Sequence, residues 1–245
     1  MAESPQVLYL AAGKSTRIHS VSKGGPKPLL EVGGDAIAAR NLRWLAAEGL
    51  SDVFVNLHYR PEEIQSFMGD GSEFGLNISY SHEPEILGTA GAAKNLRERW
   101  KGRFLVVYGD NLLSTEIARL IADHERCGAM ATVAVFDRGS DPHTGIAGGR
   151  VRIDDDGRIL EFAEGAGDDI SPLVNAGIYV LEPEVLEHVP VDTFYDFGKD
   201  VFPAMLSAHQ PLFASKITDY CLGIDTPESF ERANELISSG KVHLR

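Results

Sequence analysis

Four basic side chains lie within fourteen positions near the start of the chain, interleaved with glycine and proline. Lys14, Arg17, Lys23 and Lys27 belong to the segment LAAGKSTRIHSVSKGGPKPLLEV, residues 10–32. Backbone N–H groups of a glycine-containing turn bind phosphate oxygens, and nearby cations neutralise their charge. The spacing fits neither the P-loop nor the G-x-G-x-x-G pattern. We therefore predict an anion site of another kind, in preference to a solvated basic loop.

The overall composition makes this basic cluster more informative. The formal net charge of −13 over 245 residues argues against nucleic acid or an anionic membrane as a partner. No apolar run approaches the roughly 20 residues that a spanning helix needs, and the first residues lack the basic region of a secretion signal. The two cysteines, Cys127 and Cys221, form neither a disulfide framework nor a zinc site. We expect a cytoplasmic protein, and the oligomeric state stays open, a homo-oligomer included.

Apolar strands and amphipathic helices alternate along the chain. Strands are predicted at 7–11, 53–57, 77–81, 104–111, 131–136 and 174–181, a hairpin at 151–162, and helices near 36–48, 61–68, 88–100, 115–126 and 226–239. This alternation predicts an α/β fold with a mostly parallel sheet and a small antiparallel insert. Ligands of such sheets bind beyond the carboxyl ends of strands, which directs attention to the residues after strands 7–11 and 104–108.

The basic segment also carries a resemblance to a known family. LAAGKSTR followed by PKPLLEVGG resembles the signature of the sugar-1-phosphate nucleotidyltransferases, L-A-x-G-x-G-T-R and then P-K-P-L. The segments EPEILGTAGAAKN (83–95), VVYGDNL (106–112), NAGIYVL (175–181) and GIDTPESFERAN (223–234) extend it over nearly the whole chain. The resemblance implies a Rossmann-like, GT-A-like nucleotidyltransferase fold, a three-layer sandwich with a mixed, mostly parallel central sheet. It also implies that a nucleoside triphosphate is joined to a sugar 1-phosphate with release of pyrophosphate.

The same resemblance suggests which residues act on the phosphates. Arg17 would grip the β- and γ-phosphates, Lys27 would neutralise the α-phosphate, and Asp110, at the end of an apolar strand, would bind Mg²⁺. The usual second metal ligand lies in D-x-G-T-P, whereas this chain reads GIDTP, residues 223–227. Asp225 is therefore the second metal candidate, with the alternative that it caps the helix beginning near Pro227.

Residues around the first turn and the segment LGTAGA (87–92) are the predicted nucleotide-binding set: Leu10, Ala11, Ala12, Gly13, Lys14, Ser15, Thr16, Glu83, Gly88 and Thr89. LGTAGA resembles the guanylyltransferase form of the base-binding segment more than the thymidylyl form. A carboxylate only accepts hydrogen bonds, and guanine presents an N–H and an amino group on one edge. Glu83 is therefore the predicted guanine acceptor, with Glu85 as a rival.

The predicted sugar-binding set lies mostly in the second half of the chain: Asn111, Gly145, Glu164, Asn175 and Lys199. Many family members carry a lysine directly after the glutamate, but here Glu164 is followed by Gly165. Lys199 is the candidate that supplies the missing charge, unless it is a simple surface residue. We expect one domain over 1–245, with 1–135 mainly binding nucleotide and 136–245 mainly binding sugar phosphate.

The resemblance favours GTP with a mannose- or heptose-type 1-phosphate. Three alternatives stay open at this point. The first is a UTP- or dTTP-dependent sugar-1-phosphate enzyme, and the second is a CTP-dependent phosphocholine-type cytidylyltransferase. The third is a non-catalytic, nucleotide-binding regulatory homologue, which the missing lysine and the rearranged aspartate motif would suit.

Overall fold

The computed structural model describes residues 4–145, 148–165, 170–217 and 219–244. In chain order the strands are β1 (Gln6–Leu10), β2 (Glu31–Val32), β3 (Asp35–Ala36), β4 (Asp52–Leu57), β5 (Asn77–His82), β6 (Phe104–Tyr108), β7 (Asn111–Ser114), β8 (Ala131–Asp137), β9 (Arg150–Ile153), β10 (Ile159–Ala163), β11 (Leu173–Leu181), β12 (Leu212–Lys216) and β13 (Tyr220–Gly223). The helices are α1 (His19–Ser22), α2 (Ile37–Ala47), α3 (Pro61–Met68), α4 (Gly88–Asn95), α5 (Ile117–Cys127), α6 (Phe202–Ser207) and α7 (Pro227–Ser238). Short 3-10 helices occupy Thr16–Ile18, Lys27–Leu29, Ser72–Phe74, Arg97–Arg99 and Pro183–His188, and a π-helical turn occupies Phe197–Val201.

The central sheet has the strand order β10-β9-β11-β6-β1-β4-β5, and β8 joins it by pairing with β11 and β12. β1 is parallel to β4 and β6, β4 is parallel to β5, and β8 is parallel to β12. β11 is antiparallel to β6, β8 and β9, and β10 is antiparallel to β9. All strands of this sheet except β10 and β11 therefore run in one direction, so the sheet is mixed and mostly parallel.

Side chains of the central strands enter two separate cores. Val7 and Tyr9 of β1 pack on one face of the sheet with Leu42 of α2, whereas Leu8 lies on the other face in the same core as Phe202 of α6. Strands covered on both faces need apolar residues at consecutive positions, which explains the apolar run at 7–10 in β1 and the apolar sequence of β6. The resulting order of helices, sheet and helices is a three-layer α/β sandwich.

The predicted α/β architecture is confirmed, and the predicted hairpin is the antiparallel pair β9–β10. The strand predicted at 104–111 ends at Tyr108, and the helix predicted at 88–100 ends at Asn95. The helical segment 197–207 was not predicted, because Gly198 and Pro203 are weak helix formers. Asp196 compensates by accepting hydrogen bonds from two backbone N–H groups of the π-helical turn. Within the described ranges, no helix has the length and apolar character of a membrane span.

A buried histidine on α5 allows a test of the packing of this sheet. His124 is 1% exposed, and its ring nitrogens contact Thr132 Oγ1 at 2.9 Å and Glu182 Oε1 at 3.2 Å. Burial lowers the pKa of His124 below its ordinary value of 6.5, although the hydrogen bond to Glu182 opposes the shift. The unfolded chain therefore binds a proton that His124 does not bind in the folded protein. As the pH drops below about 6.5, the contribution of His124 to the free energy of unfolding consequently decreases.

We expect His124→Gln to remove this pH dependence. Urea unfolding between pH 7.5 and 5.5 should give the wild type a steeper loss of unfolding free energy than the variant. The difference should reach at most about 1.4 kcal/mol for each pH unit, the value for one proton. Equal slopes in the two proteins would mean that His124 is protonated in the folded state.

Candidate active site

A compact cluster of opposite charges lies at the carboxyl ends of β1 and β6. Lys27 Nζ donates to Asp110 Oδ2 at 2.9 Å and to Asp225 Oδ1 at 2.6 Å. The guanidinium of Arg17 donates to the same oxygen of Asp225 at 3.1 Å. Residues from three distant parts of the sequence therefore meet at one point. We call these four residues the ion cluster.

Lys27 is the buried centre of the ion cluster. It is 8% exposed, whereas the carboxylates that it contacts are partly open to water. Burial alone would lower the pKa of Lys27, but the negative charges of Asp110 and Asp225 outweigh burial and raise it above the ordinary value. The ammonium group is therefore charged at neutral pH and is held at a fixed place.

The basic segment folds back on itself to bring Lys27 to the cleft. Ser15 adopts a left-handed conformation, with φ of 54°, and its hydroxyl oxygen accepts the backbone N–H of Lys27 at 2.9 Å. Pro26 and Pro28 flank Lys27, and proline fixes φ, so the backbone on both sides of the lysine is restricted. The turn, Arg17 and Lys27 therefore line the same space.

Asp225 reaches the ion cluster through a strand pair that the sequence did not predict. β13 runs antiparallel to β7, with Gly223 opposite Asn111, and the N–H of Ile224 donates to the carbonyl oxygen of Asp110 at 3.3 Å. The alternative interpretation of Asp225 as a helix cap is wrong. Thr226 is the N-cap of α7, in a capping box with Ser229.

A cleft of about 330 Å³ opens beside the ion cluster. All four residues of the ion cluster line it, as do nine of the ten predicted nucleotide-binding residues: Leu10, Ala11, Ala12, Gly13, Lys14, Ser15, Thr16, Gly88 and Thr89. Gly88 has a φ of +74°, and a Cβ atom there would lie 2.5 Å from the carbonyl oxygen of Tyr195. Only glycine fits at this position, where α4 begins against the segment that precedes the π-helical turn.

Of the ten predicted nucleotide-binding residues, Glu83 is the one that does not line the cleft. It is 4% exposed, and its carboxylate accepts hydrogen bonds from Asn56 Nδ2 at 2.8 Å and from the N–H of Leu87 at 2.9 Å. Burial raises the pKa of Glu83, while these two hydrogen bonds oppose the shift. The carboxylate therefore lies behind the cleft wall and fastens the loop before α4. Its expected role as a direct acceptor for a base is not supported by this arrangement.

Two of the predicted sugar-binding residues are buried and held by internal hydrogen bonds. Asn175 donates to Tyr179 Oη at 2.7 Å and accepts the N–H of Gly177 at 2.9 Å, where the pairing of β11 with β8 shifts register. Asn111 Nδ2 donates to the carbonyl oxygen of Ala176 at 3.3 Å. Gly145 is exposed with a φ of +83°, and its N–H donates to His143. Asn175 thus makes the turn contacts that a purely structural asparagine would make.

The remaining sugar-side residues, Glu164 and Lys199, lie near each other. Burial and then the charge of Asp196 raise the pKa of Glu164, and the ammonium of Lys199 opposes that shift. Gly198 lies so close to Glu164 that a Cβ atom would overlap the carboxylate. Asp196 is the N-cap of the π-helical turn that contains Lys199, and it lines the cleft. The π-helical turn therefore connects Glu164 and Lys199 to the cleft wall.

Seven cleft residues were not among the sequence predictions: Ile18, Pro28, Asn56, Ile86, Tyr108, Phe194 and Asp196. Asn56 Oδ1 accepts the N–H of Ala11 at 2.7 Å, and Asp196 Oδ2 accepts the hydroxyl of Thr89 at 2.9 Å. Asn56 and Tyr108 lie near or at the carboxyl ends of β4 and β6, so the strand-end rule could have found them. Phe194 and Asp196 carried no such signal, because the elements around them were not predicted.

The cationic turn and the two carboxylates together define a class of protein. An α/β sandwich carries a glycine-containing cationic turn at the end of its first strand and two carboxylates opposite it. This arrangement suits a phosphate-rich ligand that arrives with a divalent cation.

Comparisons with known proteins agree with that class. The family described as nucleotidyl transferase matches residues 6–240. The chain is 32% identical over 224 residues to the UTP–glucose-1-phosphate uridylyltransferase of Synechocystis, covering 85% of this chain and 57% of that protein. It is 31% identical over 229 residues to the mannose-1-phosphate guanylyltransferase of Mycobacterium tuberculosis, covering 93% and 63%. The crystal structure of HddC from Yersinia pseudotuberculosis superposes with a TM-score of 0.81 at 24% identity, over 95% of this chain and 99% of that chain.

The chain belongs to the nucleotidyl transferase family, because the match extends over almost its entire length. It spans about 60% of the length of the curated relatives named above. The fold is shared with HddC over nearly the whole of both chains.

Proposed function

We propose that the protein joins a nucleoside triphosphate to a sugar 1-phosphate and releases pyrophosphate. The observation that carries this proposal is the ion cluster, in which Lys27 contacts both Asp110 and Asp225 beside the glycine-containing cationic turn. Names of the relatives support the same reaction class, since both curated proteins described above transfer a nucleotide to a sugar 1-phosphate.

The chemistry explains why the cleft contains three cationic side chains, Lys14, Arg17 and Lys27. An oxygen of the sugar phosphate attacks the α-phosphorus, a new P–O bond forms, and the bond to the β-phosphate oxygen breaks. Pyrophosphate leaves with the bonding electron pair. The nucleophile is already an anion, so no strong general base is needed. The main difficulty is to bring two anions together in line, which positioning and charge neutralisation overcome.

Arg17 and Lys27 neutralise different phosphates in this proposal, because their surroundings differ. Arg17 is largely exposed at the cleft edge, and its planar guanidinium suits the oxygens of the β- and γ-phosphates. Lys27 is buried and fixed, which suits a group that stabilises the charge developing on the α-phosphate. The N–H groups of the turn at Gly13–Thr16 add neutral donors to the same phosphates.

Asp110 and Asp225 fit the needs of Mg²⁺. Their carboxylate oxygens converge on one cation, the ammonium of Lys27, and carboxylates are suitable ligands for Mg²⁺. The described part of the chain has no group of three or more acidic, histidine or cysteine side chains that could hold a metal. Two protein ligands with phosphate oxygens and water is a usual Mg²⁺ set. Bound there, the ion would neutralise and orient phosphate oxygens.

GTP and a mannose- or heptose-type 1-phosphate are the substrates that we propose. The guanylyltransferase-like segment LGTAGA and the Mycobacterium tuberculosis relative support this choice. Glu83 no longer contributes to it, because its carboxylate is engaged with Asn56 and Leu87. UTP with glucose 1-phosphate is the second candidate, favoured by the Synechocystis relative of similar identity.

A substrate panel tests both candidates. Each of GTP, UTP, dTTP, CTP and ATP is combined with mannose, heptose and glucose 1-phosphates in the presence of Mg²⁺, and pyrophosphate release is followed. We expect the highest kcat/KM with GTP and a mannose- or heptose-type substrate, and mass spectrometry should identify the product. Preference for UTP would establish the second candidate, and no pyrophosphate with any pair would contradict a catalytic function.

Lys199 is the proposed substitute for the lysine missing after Glu164. Its ammonium acts on the Glu164 carboxylate, so the charge lies on the sugar side of the molecule. We expect Lys199→Ala to raise KM for the sugar 1-phosphate about tenfold, equivalent to one charge-assisted contact, and to leave KM for the triphosphate within twofold. Lys216→Ala, an exposed lysine on β12, is the control. An unchanged sugar-phosphate KM would contradict the role.

A further inference from the structure

Two buried polar side chains lie behind the loop that carries Asp110. Tyr9 of β1 is 0% exposed, and Asn41 of α2 is 2% exposed. Asn41 Nδ2 donates to Tyr9 Oη at 3.2 Å and to the carbonyl oxygen of Asn111 at 2.9 Å. Tyr9 Oη in turn donates to the carbonyl oxygen of Gly109 at 3.1 Å. We call Tyr9 and Asn41 the Asp110 clamp.

The Asp110 clamp holds the backbone on both sides of Asp110. The two carbonyl groups that it binds belong to the residues immediately before and after that aspartate. Gly109 also donates its N–H to Leu10 at 3.0 Å, and a Cβ atom on Gly109 would lie only 2.6 Å from the Leu10 carbonyl oxygen. The loop between β6 and β7 is thus pressed against the end of β1 and fastened there.

Packing alone does not account for Asn41. It lies on a buried part of α2 between apolar residues such as Leu42 and Leu45, where leucine would bury more apolar surface. A buried amide is costly unless its groups are hydrogen-bonded, and here one NH₂ group serves two acceptors near Asp110. The amide therefore contributes directed hydrogen bonds that an apolar side chain cannot provide.

We propose that Tyr9 and Asn41 are positioning residues, which hold the carboxylate of Asp110 where it can bind the metal–triphosphate together with Asp225. This inference rests on the function proposed above. The Asp110 side chain is partly exposed, and its described hydrogen bond to another side chain is with Lys27. The position of the carboxylate therefore depends on the backbone that carries it as well as on Lys27. Displacement of a reacting or coordinating group by about 1 Å is enough to lower activity substantially.

The test compares Asn41→Leu and Tyr9→Phe with Thr132→Val in the full chain. Thr132 is equally buried and is bonded to His124, but it lies on β8 away from the cleft. Three quantities are measured: the Mg²⁺ concentration for half-maximal activity, the Mn²⁺ affinity of the triphosphate complex by electron paramagnetic resonance, and the melting temperature. We expect Asn41→Leu to weaken both metal constants about tenfold and Tyr9→Phe about threefold. Thr132→Val should lower the melting temperature while both metal constants stay within twofold of wild type.

Metal constants within twofold of wild type in Asn41→Leu and Tyr9→Phe would overturn the inference. If Asn41→Leu does not fold, Tyr9→Phe, which loses only one oxygen atom, decides the outcome alone. Asp110→Asn separates this failure from failure of the proposed function. Loss of Mn²⁺ binding in Asp110→Asn, with normal binding in the clamp variants, rejects the clamp only. Normal Mn²⁺ binding in Asp110→Asn would reject the metal site on which the inference rests.

Discussion

Lys27→Met should lower kcat by about 10²–10³-fold, the range observed when a preorganised group that stabilises transition-state charge is removed. Methionine is unbranched and keeps most of the length of the apolar lysine stem, so the change removes mainly the charged end. In the folded protein this charge is buried and fixed by Asp110 and Asp225, and their influence keeps the pKa of Lys27 above its usual value. The ammonium is therefore present throughout the neutral pH range.

The fold should tolerate this substitution better than the reaction does. Asp110 and Asp225 are partly open to water, so the loss of stability should stay below the roughly 3–5 kcal/mol that follows from breaking a fully buried ion pair. Steady-state pyrophosphate release and thermal unfolding measure the two effects separately. Lys216→Met, on the exposed end of β12, is the matched control and should behave as the wild type. A kcat within threefold of wild type in Lys27→Met would refute the catalytic role.

Asp110→Asn and Asp225→Asn should each lower kcat by at least about 10³-fold, and the double variant should be no worse than about tenfold below either single variant. Residues that act as one unit give non-additive losses, because removing one already disables the unit. Here the unit is the pair of carboxylates that converge on Lys27. Asparagine retains the shape of aspartate but lacks the charge that a divalent cation requires.

Asp155→Asn is the control for this pair, because Asp155 lies exposed in the turn between β9 and β10. Its kcat should equal that of the wild type. Fully additive losses in the double variant, with normal Mg²⁺ dependence in each single variant, would mean that the two carboxylates act independently and do not share a metal.

The proximity of Lys27 and Asp110 could be predicted from the sequence alone. Both residues come after apolar strands, and the carboxyl ends of parallel strands lie at one edge of a sheet. A glycine-containing turn with several cations in an acidic chain additionally predicts that an anion binds there. The strand-end rule therefore predicts that these residues lie on the same side of the molecule, and the structure brings them to 2.9 Å.

The position of Asp225 could not be predicted from strand ends. Its position depends on the pairing of β13 with β7, two short strands separated by more than a hundred residues. Neither strand has a strong alternating pattern, because both are buried on each side. The sequence left metal binding and helix capping open, and only the capping box of Thr226 and Ser229 decides against the cap.

The structure does not support the predicted role of Glu83 as a base acceptor, for a related reason. The residue type was suitable for guanine, and its position directly after β5 was at the correct edge of the sheet. Side-chain direction, however, is set by the partners available. Asn56, 27 positions earlier, and the N–H of Leu87 occupy the carboxylate inside the wall of the cleft. A single sequence gives the chemistry of a residue but not the hydrogen-bond partners that fix its orientation.

The central claim is that the triphosphate and a divalent cation bind together between the cationic turn and the pair Asp110 and Asp225. The most direct test is a Mn²⁺ titration, followed by electron paramagnetic resonance, of the protein with a non-hydrolysable triphosphate, in the wild type and in the Asp110→Asn/Asp225→Asn double variant. We expect the wild-type complex to bind one Mn²⁺ per chain and the double variant to lose at least tenfold in Mn²⁺ affinity. Equal Mn²⁺ affinity in the two proteins would contradict the account.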